Sequence, residues 1–246
     1  MKKRLLFLLC FNLCLAYHHS RAQTTQPAPD VNFRQPWLNL QKLTFKSVES
    51  GVRKIYTHIK FKELTQKHHQ VAILPVEIII DQNEISHMPA QDLNHRAFVE
   101  AKNAYPILFA SLQKEKVMHR YNINFQDISE TQRILSENDL TPDKLKSTPA
   151  AKLAALLGVD AIITCSIVRD EKLVAEAKTL ENLRRSKGLV GPSAGTATVN
   201  IYDGRNNELL WQFERLLTAG LGNNMHETML NLGNRMAMAF PYFKPL

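Results

Sequence analysis

Residues 148–168 read TPAAKLAALLGVDAIITCSIV, and their order decides the fold class. Ser147 is a candidate cap, Pro149 suits a first turn, and the Ala/Leu-rich run stops at Gly158. Val159 to Val168 follows at once as an apolar, β-branched run of strand length. Helix, glycine and buried strand in succession are the crossover signal of an α/β domain.

Working outward, residues 71–80 (VAILPVEIII) form a second apolar run, bounded by His69-Gln70 and Asp81-Gln82. Such a run suits a strand covered on both faces, with a bulge or an edge where Pro75 removes a donor. After a polar loop around Pro89, residues Phe98, Ala101, Tyr105, Leu108 and Leu112 recur at helical spacing, with Pro106 expected to kink or divide the helix. Tyr121–Phe125 reads as a short strand and Ile128–Leu135 as a helix. The charged stretch Glu171–Lys187 is helix-prone and leads into a link containing Gly191, Pro192 and Gly195. Ala197, Val199 and Ile201, then Leu209, Trp211 and Phe213, alternate with polar residues around a turn longer than two residues, which makes a hairpin. Met225, Met229, Leu232, Met236 and Ala239 define a last helix, closed before Pro241. Ahead of the first strong strand, Trp37 to Phe45 supplies either a strand or a short helix, and Val52, Ile55 and Ile59 suggest a helix. The expected architecture is a single-domain α/β fold: a sheet of four to five mixed strands with packed helices and a C-terminal hairpin–helix unit, spanning residues 70–246.

The N-terminus carries a different message. Lys2, Lys3 and Arg4 precede an apolar run, Leu5 to Ala16, that is too short for a permanent membrane span, and Ser20-Arg21-Ala22 offers a cleavage site. Residues 1–22 are therefore expected to be a cleaved signal peptide, and 23–69 a flexible leader and accessory segment. Removing 1–22 takes away four basic residues and no acidic one, so the formal charge falls from +8 to +4. That surplus fits ordinary solubility and gives no reason to expect a nucleic-acid partner. Cys10 and Cys14 leave as well, and neither is preceded by the small residues that lipid attachment requires. Cys165 alone remains, so no internal disulfide can form and an ordinary core must hold the fold.

Three segments carry a resemblance: Val71-Ala72-Ile73-Leu74-Pro75; Leu156-Leu157-Gly158-Val159-Asp160-Ala161-Ile162-Ile163; and Val199-Asn200-Ile201-Tyr202-Asp203-Gly204 with Glu208-Leu209-Leu210-Trp211. Together they resemble the envelope α/β domains of the CsgG, LpoB and TolB N-terminal-domain group, over about Gln70 to Pro241. The resemblance implies an opening strand, a middle strand and a terminal hairpin, and a noncatalytic adaptor docking on another envelope protein. The segment Glu171–Gly188 is helical in character, unlike the membrane-spanning hairpins of a curli-type pore.

The reactive residue types read as structural. His68 and His69 would point opposite ways along a strand, which is poor geometry for joint ligation. His226 is followed by Glu227, but Leu230 stands where a zinc helix needs its second histidine. His87 and His95 flank a loop. Cys165, inside an apolar run, suits packing more than catalysis, and Thr164 and Ser166 lack a nucleophile turn. Asp160, Asp170 and Asp203 lie near strand ends, where turn and cap duty is the common use. Gly191-Pro192-Ser193-Ala194-Gly195 lacks the lysine of a phosphate loop. No cofactor, metal or catalytic residue is expected.

The expectation is thus an exported, noncatalytic adaptor or assembly factor of the cell envelope. It would sit in the periplasm, peripherally near the outer membrane, with an envelope protein as partner and a homo-oligomer as a further option. The alternative is a periplasmic small-molecule or glycan-binding protein. Trp37, Leu38, Arg184, Arg185 and Met238 are the candidate partner contacts; Met238 falls off the apolar stripe of its helix.

Overall fold

The nine residues of β6 (Ala161–Arg169) form the middle of the sheet that 148–168 predicts. The computed structural model describes residues 45–50, 53–80, 89–118, 121–169, 195–217, 221–222 and 224–243. The expected signal peptide, the leader up to residue 44 and the charged segment 171–187 lie outside the described residues.

The elements run β1 (Phe45–Ser50), β2 (Arg53–His58), α1 (Phe61–Leu64), β3 (Gln70–Ile73), β4 (Glu77–Ile80), α2 (Ala90–Val117), β5 (Asn124–Phe125), α3 (Ile128–Glu137), α4 (Pro142–Ser147), α5 (Ala150–Leu157), β6, β7 (Gly195–Asp203), β8 (Leu209–Leu217) and α6 (Met225–Ala239). They build one mixed sheet ordered β1-β2-β8-β7-β6-β3-β5, with β4 also paired to β6. β3 and β4 are one strand broken at Pro75. Both run parallel to β6, and the Leu74 amide still donates to the Ile163 carbonyl at 2.9 Å. Counting that interrupted strand once gives seven, against the four to five expected. The additional strands come mainly from 45–58, where the helix expected over Val52–Ile59 is instead strand β2. Ile55 faces Phe213 and Thr57 faces Trp211 across β8, and this cross-strand burial outweighs the chance helical spacing.

Local signals set the helix ends. α5 stops where Gly158 adopts φ 68°, a left-handed conformation that glycine takes without side-chain strain. Its N-cap is Pro149; Ser147 belongs instead to α4, a short helix not read from the sequence. Asp127 and Asn224 cap α3 and α6, accepting from the backbone amides of Ser129 (2.8 Å) and Glu227 (2.9 Å). Pro106 leaves α2 a single helix. It lies on the exposed side, and the carbonyl it deprives belongs to exposed Lys102, within reach of water. Tyr121–Phe125 is a strand only at Asn124–Phe125; Tyr121 makes an isolated bridge to Phe243.

Alternation along β6 sends Ala161, Ile163, Cys165 and Ile167 into the larger core under α2 and α6, and Ile162 into a smaller one under α3 to α5. The smaller layer covers only the start of the strands: farther along the same face Thr164 and Ser166 are half-buried and Val168 is exposed. α6 buries Met229, Leu232 and Met236, as its spacing predicts. After it the chain folds back, and Phe240 packs among Tyr121, Phe125, Trp211 and Tyr242 with ring centroids 5.1–5.9 Å apart.

The β7–β8 turn seats tightly on the α5–β6 junction. A Cβ on Gly204 would lie 2.7 Å from the Asp160 carbonyl and 2.6 Å from the Ala154 methyl. Gly204→Ala is expected to destabilise the fold by about 1–3 kcal/mol, read as a lower urea midpoint with an unchanged m-value.

Candidate functional site

Among the described residues, two places gather polar or apolar side chains in a way that could support function, one closed and one open. The closed one lies where β3 and β6 begin and β7 ends. Asp160 precedes β6 and its Oδ2 accepts from the His69 and Gln70 amides at 2.7 and 2.9 Å, which aligns β3 beside β6. Asp203, with a fully buried side chain, accepts from the Arg205 amide (2.8 Å) and from Arg205 Nε (3.0 Å) and Nη2 (2.6 Å). Arg205 Nη2 also donates to the Leu64 carbonyl at 2.9 Å. His68 is buried between these groups and the tail. Its Nδ1 shares a hydrogen bond with the Tyr242 hydroxyl at 2.7 Å, while Nε2 stands 3.9 Å from Asp203 and has no hydrogen-bond partner.

Histidine, aspartate and tyrosine in one cluster invite a reading as acid–base machinery, and the electrostatics argue for structure. Burial, the dominant influence, lowers the His68 pKa and keeps the ring neutral; the Asp203 and Asp160 charges oppose this only in part. Burial alone would raise Asp203, but hydrogen bonds from Arg205 and its positive charge outweigh it, so Asp203 stays ionised below the usual carboxylate range. Asp160 is likewise lowered against the cost of burial by the Gln70 and His69 amides. Burial pushes the Tyr242 hydroxyl far above its usual range. A substrate has no access to His68, which is 4% exposed. The network ties the C-terminal tail to the sheet.

The open place lies at the carboxyl end of β6, the end where α/β sheets characteristically bind. There α2 and α6 part into a shallow groove of about 350 Å³, lined by Glu100, Ala104, Ile107, Met225, His226 and Met229 among others. Glu100 accepts from Arg169 Nη1 at 2.7 Å and from Arg96 Nε at 3.1 Å, so both its oxygens are engaged. His226 is exposed at the rim. Among the described residues no group of three or more His, Cys, Asp or Glu could hold a metal ion. The groove suits an apolar side chain better than a reaction.

The residues singled out from the sequence fall as follows. Trp37, Leu38, Arg184 and Arg185 lie outside the described residues, as do His87 and Asp170. Met238 is on α6 and 63% exposed, off the buried stripe. Cys165 is packed in the core, where burial pushes its thiol up to about 12. His68 is buried and exposed His69 points the other way. The His68–Asp203–Tyr242 grouping was not foreseen; its members stand 135 and 174 residues from His68, and only the sheet topology brings them together.

No family model matches the chain, and no curated protein matches it. Similar solved structures include lipoprotein GNA1162 from Neisseria meningitidis, at 14% identity and a TM-score of 0.36, covering 70% of this chain and 97% of that one. The C-terminal domain of LpoB from Salmonella enterica follows at 8% and 0.33, covering 63% and 90%. A PelC dodecamer from Paraburkholderia phytofirmans stands at 11% and 0.31, covering 70% and 88%. LpoB was named in the sequence resemblance. Likeness at these scores carries no functional argument, which rests instead on the residues.

The neutral buried His68 makes stability depend on pH. Its folded pKa lies below the usual 6.5, so its contribution is complete above pH 6.5 and is lost as pH falls through the folded value. Urea midpoints measured downward from pH 7 are expected to decline below 6.5, and His68→Gln is expected to flatten that portion of the profile. The separate losses from Asp160 and Asp203 begin near 3.8, well below it.

Proposed function

We propose that this chain is an exported, noncatalytic docking protein of the cell envelope. It works in the periplasm and approaches the outer membrane through its partner. Residues 1–22 direct export and are removed; 23–69 form a leader and accessory segment, of which 45–50 and 53–58 join the sheet. The observation that carries the reading is the contrast between what the fold seals and what it presents. His68, Asp203, Tyr242 and Cys165 are shut inside, whereas the helical layer offers Phe98 (60% exposed) and Met238 (63%) to water.

Exposed aromatic and methionine side chains suit a contact surface. Each contributes about 1.5–3 kcal/mol when fully buried, and binding energy concentrates in a few such anchors. The α2–α6 groove provides a complementary recess for one side chain of the partner. Trp37, Leu38, Arg184 and Arg185 are proposed to add contacts to the same partner. No helix among the described residues is long and apolar enough to cross a membrane, so attachment is assigned to the partner.

The test is site-specific photocrosslinking in intact cells from positions 98 and 238, with Lys152, exposed on α5, as control. The same envelope protein, or a second copy of this chain, is expected from 98 and 238 and not from 152. Crosslinks chiefly from 152, or none from the first two, would overturn the reading. Met238→Asp is expected to weaken that association about tenfold with an unchanged Tm, since Met238 contributes little to the core.

A further inference from the structure

α2 carries two stripes at helical spacing. One, through Ala104, Tyr105, Leu108 and Leu112, packs in the larger core. The other faces water. Val99, Asn103, Pro106, Ala110, Gln113 and Val117 follow one another in alternate steps of four and three residues, the repeat by which one helix lies along another. Val99 is 42% exposed and Val117 73%, and Asn103, Pro106 and Ala110 are exposed between them. The core does not need this second repeat, because α2 already meets the sheet through the first.

Three details make the outer stripe complementary to its own reverse. Val99 is large where Ala110 is small. Pro106 has no N–H, so the Lys102 carbonyl lacks the donor four residues on; the Asn103 carboxamide has two N–H donors and makes no hydrogen bond among the described residues. Asp92 lies in the first turn and Lys114 in the last, and among the described residues neither makes an ion pair.

We propose that this stripe pairs with the same stripe of a second copy of the chain, antiparallel about a two-fold axis between Asn103 and Pro106. Val99 then seats over the second copy's Ala110. Asn103 lies beside the second copy's Pro106 and donates to the second copy's Lys102 carbonyl. Asp92 stands within a helical turn of the second copy's Lys114. The two-fold repeats each contact, as an isologous interface requires. A parallel pair would instead set Asp92 on Asp92 and Lys114 on Lys114, with the helix dipoles aligned. Phe98 and Met238 lie off the stripe, so the pairing goes beyond the docking reading and leaves those side chains to the envelope partner.

Sedimentation velocity of the purified exported protein over a concentration series is expected to show a monomer–dimer equilibrium. Disulfide trapping with copper-phenanthroline then reads the register. Val99→Cys mixed with Ala110→Cys is expected to give a linked pair, and neither variant alone is. In the antiparallel arrangement the two copies of position 99 stand about 16 Å apart, beyond the roughly 7 Å between Cα atoms that a disulfide spans. Cys165 is buried and stays silent. Asp92→Lys is expected to weaken the dimer about tenfold, and adding Lys114→Asp to restore it. Both positions are exposed, so the Tm is expected to hold. A monomer at every concentration, self-linking of Val99→Cys, or no rescue by the swapped charges would overturn the proposal. So would photocrosslinks in cells from positions 99 and 110 that reach only another envelope protein, a result that keeps the docking reading. Loss of the envelope crosslinks from 98 and 238 with the dimer intact would instead sink the docking reading and leave the pair standing.

Discussion

Burial of β6 on both flanks is the constraint on which the rest of the structure depends. One edge is taken along its whole length by β7 and the other by the two halves of the broken β3–β4 strand. Its alternate residues then demand two apolar layers. α2 and α6 satisfy Ala161, Ile163, Cys165 and Ile167, and α3 to α5 satisfy Ile162. Because the second layer ends there, Thr164 and Ser166 can be polar farther along that face. The order of helices and the placement of the hairpin follow from covering this one strand.

The two ends of the sheet are finished differently, which bears on function. Where the parallel strands begin, Asp160 and Asp203 satisfy backbone amides, Gly204 lets the hairpin turn approach, and Tyr242 locks the tail against His68. Ionisable groups there are committed to holding loops together. Where β6 ends, Glu100 and Arg169 neutralise each other beneath a shallow apolar groove. Among the described residues, the α2–α6 layer carries large apolar side chains that reach water, Phe98 and Met238 among them. That distribution suits recognition.

Much of this architecture was legible in the sequence. α5, Gly158 and β6 form a continuous local signal, the Pro75 interruption was visible in an otherwise apolar run, and the α6 stripe separated Met229 and Met236 from Met238. Strand β2 was not legible, because Ile55 and Ile59 are spaced as in a helix and the decisive factor is the distant partner β8. The interior of α2 overrode Pro106 because the proline fell on the solvent side. The polar network was hidden for the same reason as β2: Asp160 and Asp203 each read as turn residues, and nothing local linked them to His68 or Tyr242.

The central claim is that the partner engages the α2–α6 side of the domain while the α3–α5 side stays free. Hydrogen exchange measured by mass spectrometry, on the protein held in its crosslinked envelope complex and on the protein alone, tests this most directly. The account predicts added protection in peptides covering 90–117 and 225–239, with no change over 128–157. Protection concentrated over 128–157, or the same exchange in both states, would contradict it.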